Sequence, residues 1–334
     1  MYKVISIEFF RFVFMLQICL WHYNSCLGLM KNGYIAVEFF FILSGFLIYK
    51  SFSKPYSKDI ISFIKAKLQA FLPKIIISFL LFGFTFHAVI IENPEKIVND
   101  LFLLSGTGLV KGSGINSPIW YVSVLVFGGA FIYAMLKKME NIAISLIFPL
   151  IVLLVYTYIL NNNNYNLELW TTIGCFYMPF WRGVAGMCLG CILGHLHIDA
   201  LRNLDLSKYI FLFNILFLIS FVGYCFLIFV TTHYDGYILF CCAILVLGCF
   251  SEKCIINKYI TQKIWILLGR LSFDMLILHV YVLRFIYKME NMGIVEKNNS
   301  YNIFIYIILL FTISIGFHFF FQKFIKRFTD KIFN

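Results

Sequence analysis

Near the amino terminus three groups with acid–base chemistry recur at helical spacing: Glu8, Arg11 three residues on, and His22 eleven beyond that. At about 100° and 1.5 Å per residue, eleven residues bring the chain back to within about 20° of its starting face and about 16 Å further along the axis. Arg11 and His22 therefore share one face of a helix at two depths, and Glu8, one turn before Arg11, can pair with it. An imidazole titrates near neutrality and can take a proton from a hydroxyl. A fixed guanidinium can stabilise negative charge that develops on an oxygen. The plainer reading of the same stripe is a structural ion pair and a histidine bonded to a neighbouring helix.

Further ionisable residues stand inside apolar runs: Glu38, His87, Arg182, Asp274, His279, Arg284 and His318. At bilayer depth such groups are costly and mark candidate functional positions. His279 follows Ser272 by seven residues, two turns on one face. Arg182 precedes Gly186, Gly190 and Gly194, a ridge of small residues that lets helices approach closely, as does Ser44-Gly45. Arg182 then either is neutralised locally or faces an aqueous cavity or an anionic ligand. Glu38 needs a partner or water, and Arg270, near a boundary, can snorkel. Lys54, Lys58, Lys65, Lys67 and Lys74 accompany a single acid, Asp59. That run is either a solvated stretch facing lipid headgroups or a site for an anionic ligand.

The elements that must hold these residues follow from composition. The chain has 334 residues, 61% hydrophobic and 13% charged, against about 25% charged in soluble domains. A soluble enzyme, a disordered chain and a nucleic-acid binder are excluded, and an all-α polytopic membrane bundle remains. Ten apolar segments of spanning length are expected at 5–28, 34–52, 71–91, 118–136, 142–160, 171–195, 209–230, 235–251, 264–288 and 301–322, as a single domain over residues 1–334. Asn161–Asn164 and Asn166 mark one aqueous loop; Pro94 and the glycines at 106, 108, 112 and 114 mark another. Net charge is +11. The even-numbered connections and both tails hold seventeen Lys and Arg, among them Lys3, Arg202, Lys208, Lys326, Arg327 and Lys331. The odd-numbered connections hold five: Lys31, Lys96, Lys111, Lys288 and Lys297. The bias places both termini in the cytoplasm. Glu8 and Arg11 interrupt the first run where a cleavable signal would be uncharged, so that run is expected to be a retained span. Of the ten cysteines, Cys188 and Cys191 are separated by two residues, without a second pair to complete a zinc site. Buried apolar thiols and no metal are the expectation.

Taken together, these elements resemble the acyltransferase 3 family of integral membrane acyltransferases, which acylate sugars of surface glycans. The family's first span carries an acid, Arg three residues later and His eleven beyond, here Glu8, Arg11 and His22. Its second reads Gly-x-x-x-Val-Asp/Glu-x-Phe-Phe-x-Leu-Ser-Gly-Phe-Leu, matched by Gly33 to Leu47. Pro118-Ile119-Trp120-Tyr121 corresponds to a Pro-x-Trp block, Arg182 to Gly190 to an Arg with spaced glycines, and Gly269 to His279 to a late Gly-Arg-x-Ser block. The chain departs from the pattern at five positions. Lys67 and Ala70 stand where an Arg-x-x-Arg precedes the proline, here Pro73; Leu125 stands where Glu is common; Phe273 and Leu276 replace two tyrosines. The chain also has no room for the hydrolase-like domain of many relatives.

The resemblance implies acyl transfer, by default of acetyl, from a coenzyme A thioester to a hydroxyl of a cell-surface or lipid-linked glycan, in a bacterial inner membrane. Acetyl-CoA is then a donor substrate, and the partners are that donor, the glycan acceptor and membrane lipids. It makes His22 the candidate base, Arg11 the group at the thioester carbonyl and Glu8 its orienter. Lys65, Lys67, Arg270 and Arg182 become candidates for the donor; Glu38, Ser44, Trp120 and His279 become candidates for the acceptor. A transporter or glycan exporter is the rival from another class, since buried charge in ten spans also suits a permeation path. A structural membrane subunit is the third, and it predicts that Arg11 and His22 tolerate substitution.

Overall fold

A computed structural model describes residues 4–24, 32–110, 114–174, 176–200, 209–229, 233–296, 299 and 301–325. Cys26, Cys175, Gly112 and the charges Lys3, Lys31, Lys111, Arg202, Lys208, Lys297, Lys326, Arg327 and Lys331 lie outside these residues. The chain forms α1 (Ile5–Asn24), α2 (Ala36–Phe52), α3 (Ile60–Phe82), the short α4 (His87–Glu92) and α5 (Glu95–Leu101), then α6 (Ile119–Ile142) and α7 (Phe148–Asn162). A two-residue hairpin, β1 (Thr172–Ile173) and β2 (Phe176–Tyr177), leads into α8 (Met178–His195). The remainder is α9 (Ile210–Phe229), α10 (Gly236–Phe250), α11 (Ile255–Tyr259), α12 (Ile264–Asn291) and α13 (Tyr301–Phe320).

The all-α membrane architecture expected from composition is the one observed. Among the described residues, seven stretches are long and apolar enough to cross a membrane: Ile5–Tyr23, Gly33–Phe52, Ile60–Phe86, Ile119–Asn162, Ile210–Phe229, Ile264–Asn291 and Tyr301–Phe324. The expected segments 118–136 and 142–160 fall in one stretch of 44 residues. At 1.5 Å per residue that is about twice the hydrocarbon thickness. Met139 (φ −152°, ψ 53°) breaks it, and α6 and α7 both pack against α8. The expected segments 171–195 and 235–251 correspond to the glycine-rich α8 and the 15-residue α10, neither of which is among the seven.

One boundary differs by a wide margin. Residues 60–70, expected as a connection because of their lysines, are the first turns of α3. Asp59 caps the helix by accepting the backbone N–H of Ser62 at 2.6 Å, the contact that most lowers its pKa. Lysines carry long apolar stems and are good helix formers, so they mark a helix end here rather than a loop.

Two helix pairs form the centre: α1 packs along α12, and α2 along α8. A Cβ on Gly45 would stand 1.8 Å from the Met187 carbonyl oxygen, and one on Gly190 would stand 1.9 Å from that of Ile42. The backbones of α2 and α8 therefore touch, and no larger residue fits at either position. The stretches α1, α2 and α12 are mostly buried, whereas no more than 28% of α3, α6 with α7, α9 or α13 is buried. Apolar surface on those outer helices is what a bilayer covers. The described cysteines are free thiols, all buried except the half-exposed Cys225.

Candidate active site

The face shared by Arg11 and His22 opens onto a cavity of about 260 Å³ between α1, α2, α3, α6 and α12. Arg11 and Lys67 bring positive charge to it, and Ser44, Tyr121 and Ser272 bring hydroxyls. The rest of the wall is apolar, including Leu125, Phe273 and Leu276, the three sites where polar family residues are replaced. Arg11 Nη1 donates to Glu8 Oε2 at 2.9 Å, so the carboxylate one turn earlier fixes the guanidinium. Glu8 also abuts α12, because a Cβ on Gly269 would meet it. Lys67 lies over the rings of Phe63 and Phe71, 5.4 and 5.9 Å from their centroids.

A second cavity, of about 150 Å³, lies beyond His22. His22, Ile18, Val37, Pro118 and Trp120 belong to the walls of both, so they form the partition. This second chamber is aromatic and polar: Trp21, Tyr34, Trp170 and Tyr177 line it with Glu168 and Arg182. Trp120 and Trp170 meet edge to face, centroids 5.2 Å apart. Gly106, also in the wall, has φ +85° and backs directly onto Trp120, a position that only glycine fills without strain. Trp170 Nε1 donates to Glu168 Oε1 at 3.3 Å. Burial raises the Glu168 pKa, opposed by that donor and by the Arg182 charge. Asp235 Oδ2 accepts from Tyr34 Oη at 2.6 Å and from the Leu167 backbone N–H at 2.8 Å. It thereby ties the loop bearing Glu168 to the start of α2.

Close packing of α2 on α8 sets Glu38 against Arg182. Glu38 is fully buried; one of its oxygens pairs with Arg182 Nε and the other accepts from Tyr156 Oη at 2.6 Å. It lines neither cavity and reaches the second only through Arg182. Arg182 Nη2 is buried without a partner in the described structure. Arg182 therefore belongs with the acceptor candidates by position, apart from Lys67.

His279 stands behind His22, ring centroids 5.0 Å apart, and is fully buried. Its Nδ1 lies 2.9 Å from the Leu276 carbonyl oxygen. A carbonyl only accepts, so Nδ1 carries the proton and Nε2 of the neutral ring carries the lone pair. That Nε2 has no partner in the described structure. Lys65 and Arg270 are exposed and are in neither cavity wall. The structure thus gathers Arg11, His22, Ser44, Lys67 and Trp120 round one cavity. Round the second cavity it adds Glu168 and Trp170, from the irregular segment before β1, and Tyr177 of β2; a loop and a two-residue strand carry no periodic signal.

No curated protein and no solved structure matches the chain. The family model described as “Acyltransferase domain” matches residues 4–319. That match takes in every residue of both cavities, and by it the chain belongs to the acyltransferase 3 family of membrane acyltransferases.

Proposed function

We propose that the protein transfers an acyl group, acetyl by default, from a coenzyme A thioester to a hydroxyl of a cell-surface or lipid-linked glycan. The observation that carries this reading is the place of His22 in the partition between a cationic cavity and an aromatic one. A thioester whose phosphates meet Lys67 extends its acyl end past Arg11. A sugar stacks on Trp120, Trp170 and Tyr177 and hydrogen-bonds Glu168 and Arg182, the mix of rings and polar groups that sugars fit. The bias of lysines and arginines turns the first cavity to the cytoplasm and the second outward.

In this mechanism His22 takes the hydroxyl proton as the oxygen attacks the thioester carbonyl carbon. Arg11 stabilises the oxyanion, a role in which a preset cation costs no reorganisation. The carbon–sulfur bond then breaks, and His22 returns the proton to the departing thiolate, giving ester and free coenzyme A. His279, with its ring centroid 5.0 Å from that of His22, backs the imidazole and keeps it at the partition. The test is to compare surface-glycan masses in cells carrying the protein and His22→Ala, and to follow thioester consumption by the purified proteins. An acyl mass increment that depends on His22 is expected. Flux of glycan with no thioester consumed would assign the molecule to transport instead.

A further inference from the structure

A third concavity, of about 690 Å³, lies away from both chambers. It is formed where the stretch Ile60–Phe86 ends and where α12 ends. Three basic side chains line it: His87, Arg284 and Lys288. All three are exposed, and among the described residues no carboxylate pairs with any of them. The acid of the groove, Glu290, is buried and accepts from Asn302 Nδ2 at 2.7 Å, turned into the protein. Arg284 is held over the Phe86 ring, 4.8 Å from its centroid, which presents its guanidinium as a fixed fork. Arg284 and Lys288 are four residues apart and so stand one above the other on α12. Arg284 also lies seven residues inside the helix end, about 10 Å, with Leu80 and Phe84 exposed at 70% and 64% on the neighbouring stretch.

A free guanidinium beside lipid-facing side chains is out of place unless an anion reaches it. Paired cations with a planar fork match a phosphoryl group. We infer that this groove is a phosphate-binding site, taking the phosphoryl group of a membrane lipid or of a soluble phosphate. The site is separate from acyl transfer and holds whatever the reaction proves to be.

The full chain and the double variant Arg284→Gln/Lys288→Gln are purified from bilayers containing phosphatidylcholine with phosphatidylglycerol, and retained lipid is counted by native mass spectrometry. Wild type is expected to keep phosphatidylglycerol, and the variant to keep it roughly ten- to thirtyfold less, given the usual strength of one basic residue at an anionic lipid. Arg270→Gln, a basic residue at the opposite end of α12, is expected to retain it as wild type does. A parallel arm adds inorganic pyrophosphate to protein in phosphatidylcholine alone and reads thermal stabilisation. Stabilisation there with no retained phosphatidylglycerol identifies the soluble source, and retention without stabilisation identifies the lipid. Should the double variant fail to fold, Arg284→Lys with the pyrophosphate titration of wild type gives the answer. Wild type that neither enriches phosphatidylglycerol nor responds to pyrophosphate overturns the site, as does a folded double variant that behaves like wild type in both arms.

Discussion

Asp274 and His279 sit five residues apart on α12, and both are completely buried. Asp274 has everything it needs: Lys74 pairs with one carboxylate oxygen, and His318 Nδ1 donates to the other at 2.7 Å. Lys74 is further held over Phe273 and Phe321, 5.6 and 5.4 Å from the ring centroids. The cluster ties α3, α12 and α13 together, and none of its three members has a buried polar atom without a partner. His279 is the opposite case. One nitrogen is spent on its own helix, the other faces no partner in the described structure, and its ring adjoins a histidine that opens on two cavities. Burial of an ionisable group is common to both places. What differs is saturation: the unsaturated histidine lines neither cavity but backs His22, which opens on both.

The comparison breaks first at His22. His22→Ala is expected to lower the rate of thioester consumption about a thousandfold, within the range for loss of a general base, with thermal unfolding in detergent unchanged. A variant that turns over as wild type does would reduce the partition histidine to packing. Asp274→Ala is expected to do the reverse. Removing one partner of a buried ion pair costs about 3–5 kcal/mol because the other charge is stranded, here Lys74. Unfolding measured in detergent should show that loss, and Lys74→Met added to it should recover a large part, while turnover per folded molecule stays within a few-fold. His279→Ala comes next. A base displaced by about an ångström loses up to about a hundredfold, so kcat should fall by roughly ten- to a hundredfold with KM for the thioester held. A purely structural His279 would lose stability and leave the pH profile of kcat where it was.

The contrast is also a measure of what residue spacing conveys. Helical period alone placed Arg11 and His22 on one face, and both line the first cavity. Glu38 and Arg182 each stood out as charges in apolar segments, but their pairing crosses 144 positions and depends on Gly45 and Gly190 bringing two backbones into contact. The same holds for Asp274 and Lys74, 200 positions apart. The aromatic chamber is not legible in the sequence, because Gly106, Glu168 and Trp170 come from irregular segments and Tyr177 from a two-residue strand, with no period to read. The start of α3 was missed for a different reason. Lysine density by itself suggests solvent exposure, whereas Asp59 supplies a cap and the lysine stems extend the helix.

Asp100 sharpens the same contrast at the low end, since it is buried and its oxygens are engaged, yet among the described residues no cation pairs with it. Its Oδ2 accepts the Asn116 backbone N–H at 2.8 Å and its Oδ1 the Ser105 hydroxyl at 3.1 Å. Gly114 leaves room for the carboxylate, which a Cβ there would overlap. Burial pushes its pKa from 3.8 up to about 7, only partly offset by those donors. A carboxyl whose folded pKa lies above its unfolded one keeps a proton in the folded protein that the unfolded chain has lost. Stability contributed by Asp100 is therefore full below the unfolded value, falls as pH climbs towards about 7, and is flat above. The slope from one proton is at most about 1.4 kcal/mol per pH unit. Asp100→Asn, which cannot ionise, should flatten unfolding temperature against pH across that window. A slope identical in the variant would mean that the two neutral donors hold the carboxylate ionised as effectively as Lys74 holds Asp274, and that a cation is not what separates a saturated acid from a strained one in this bundle.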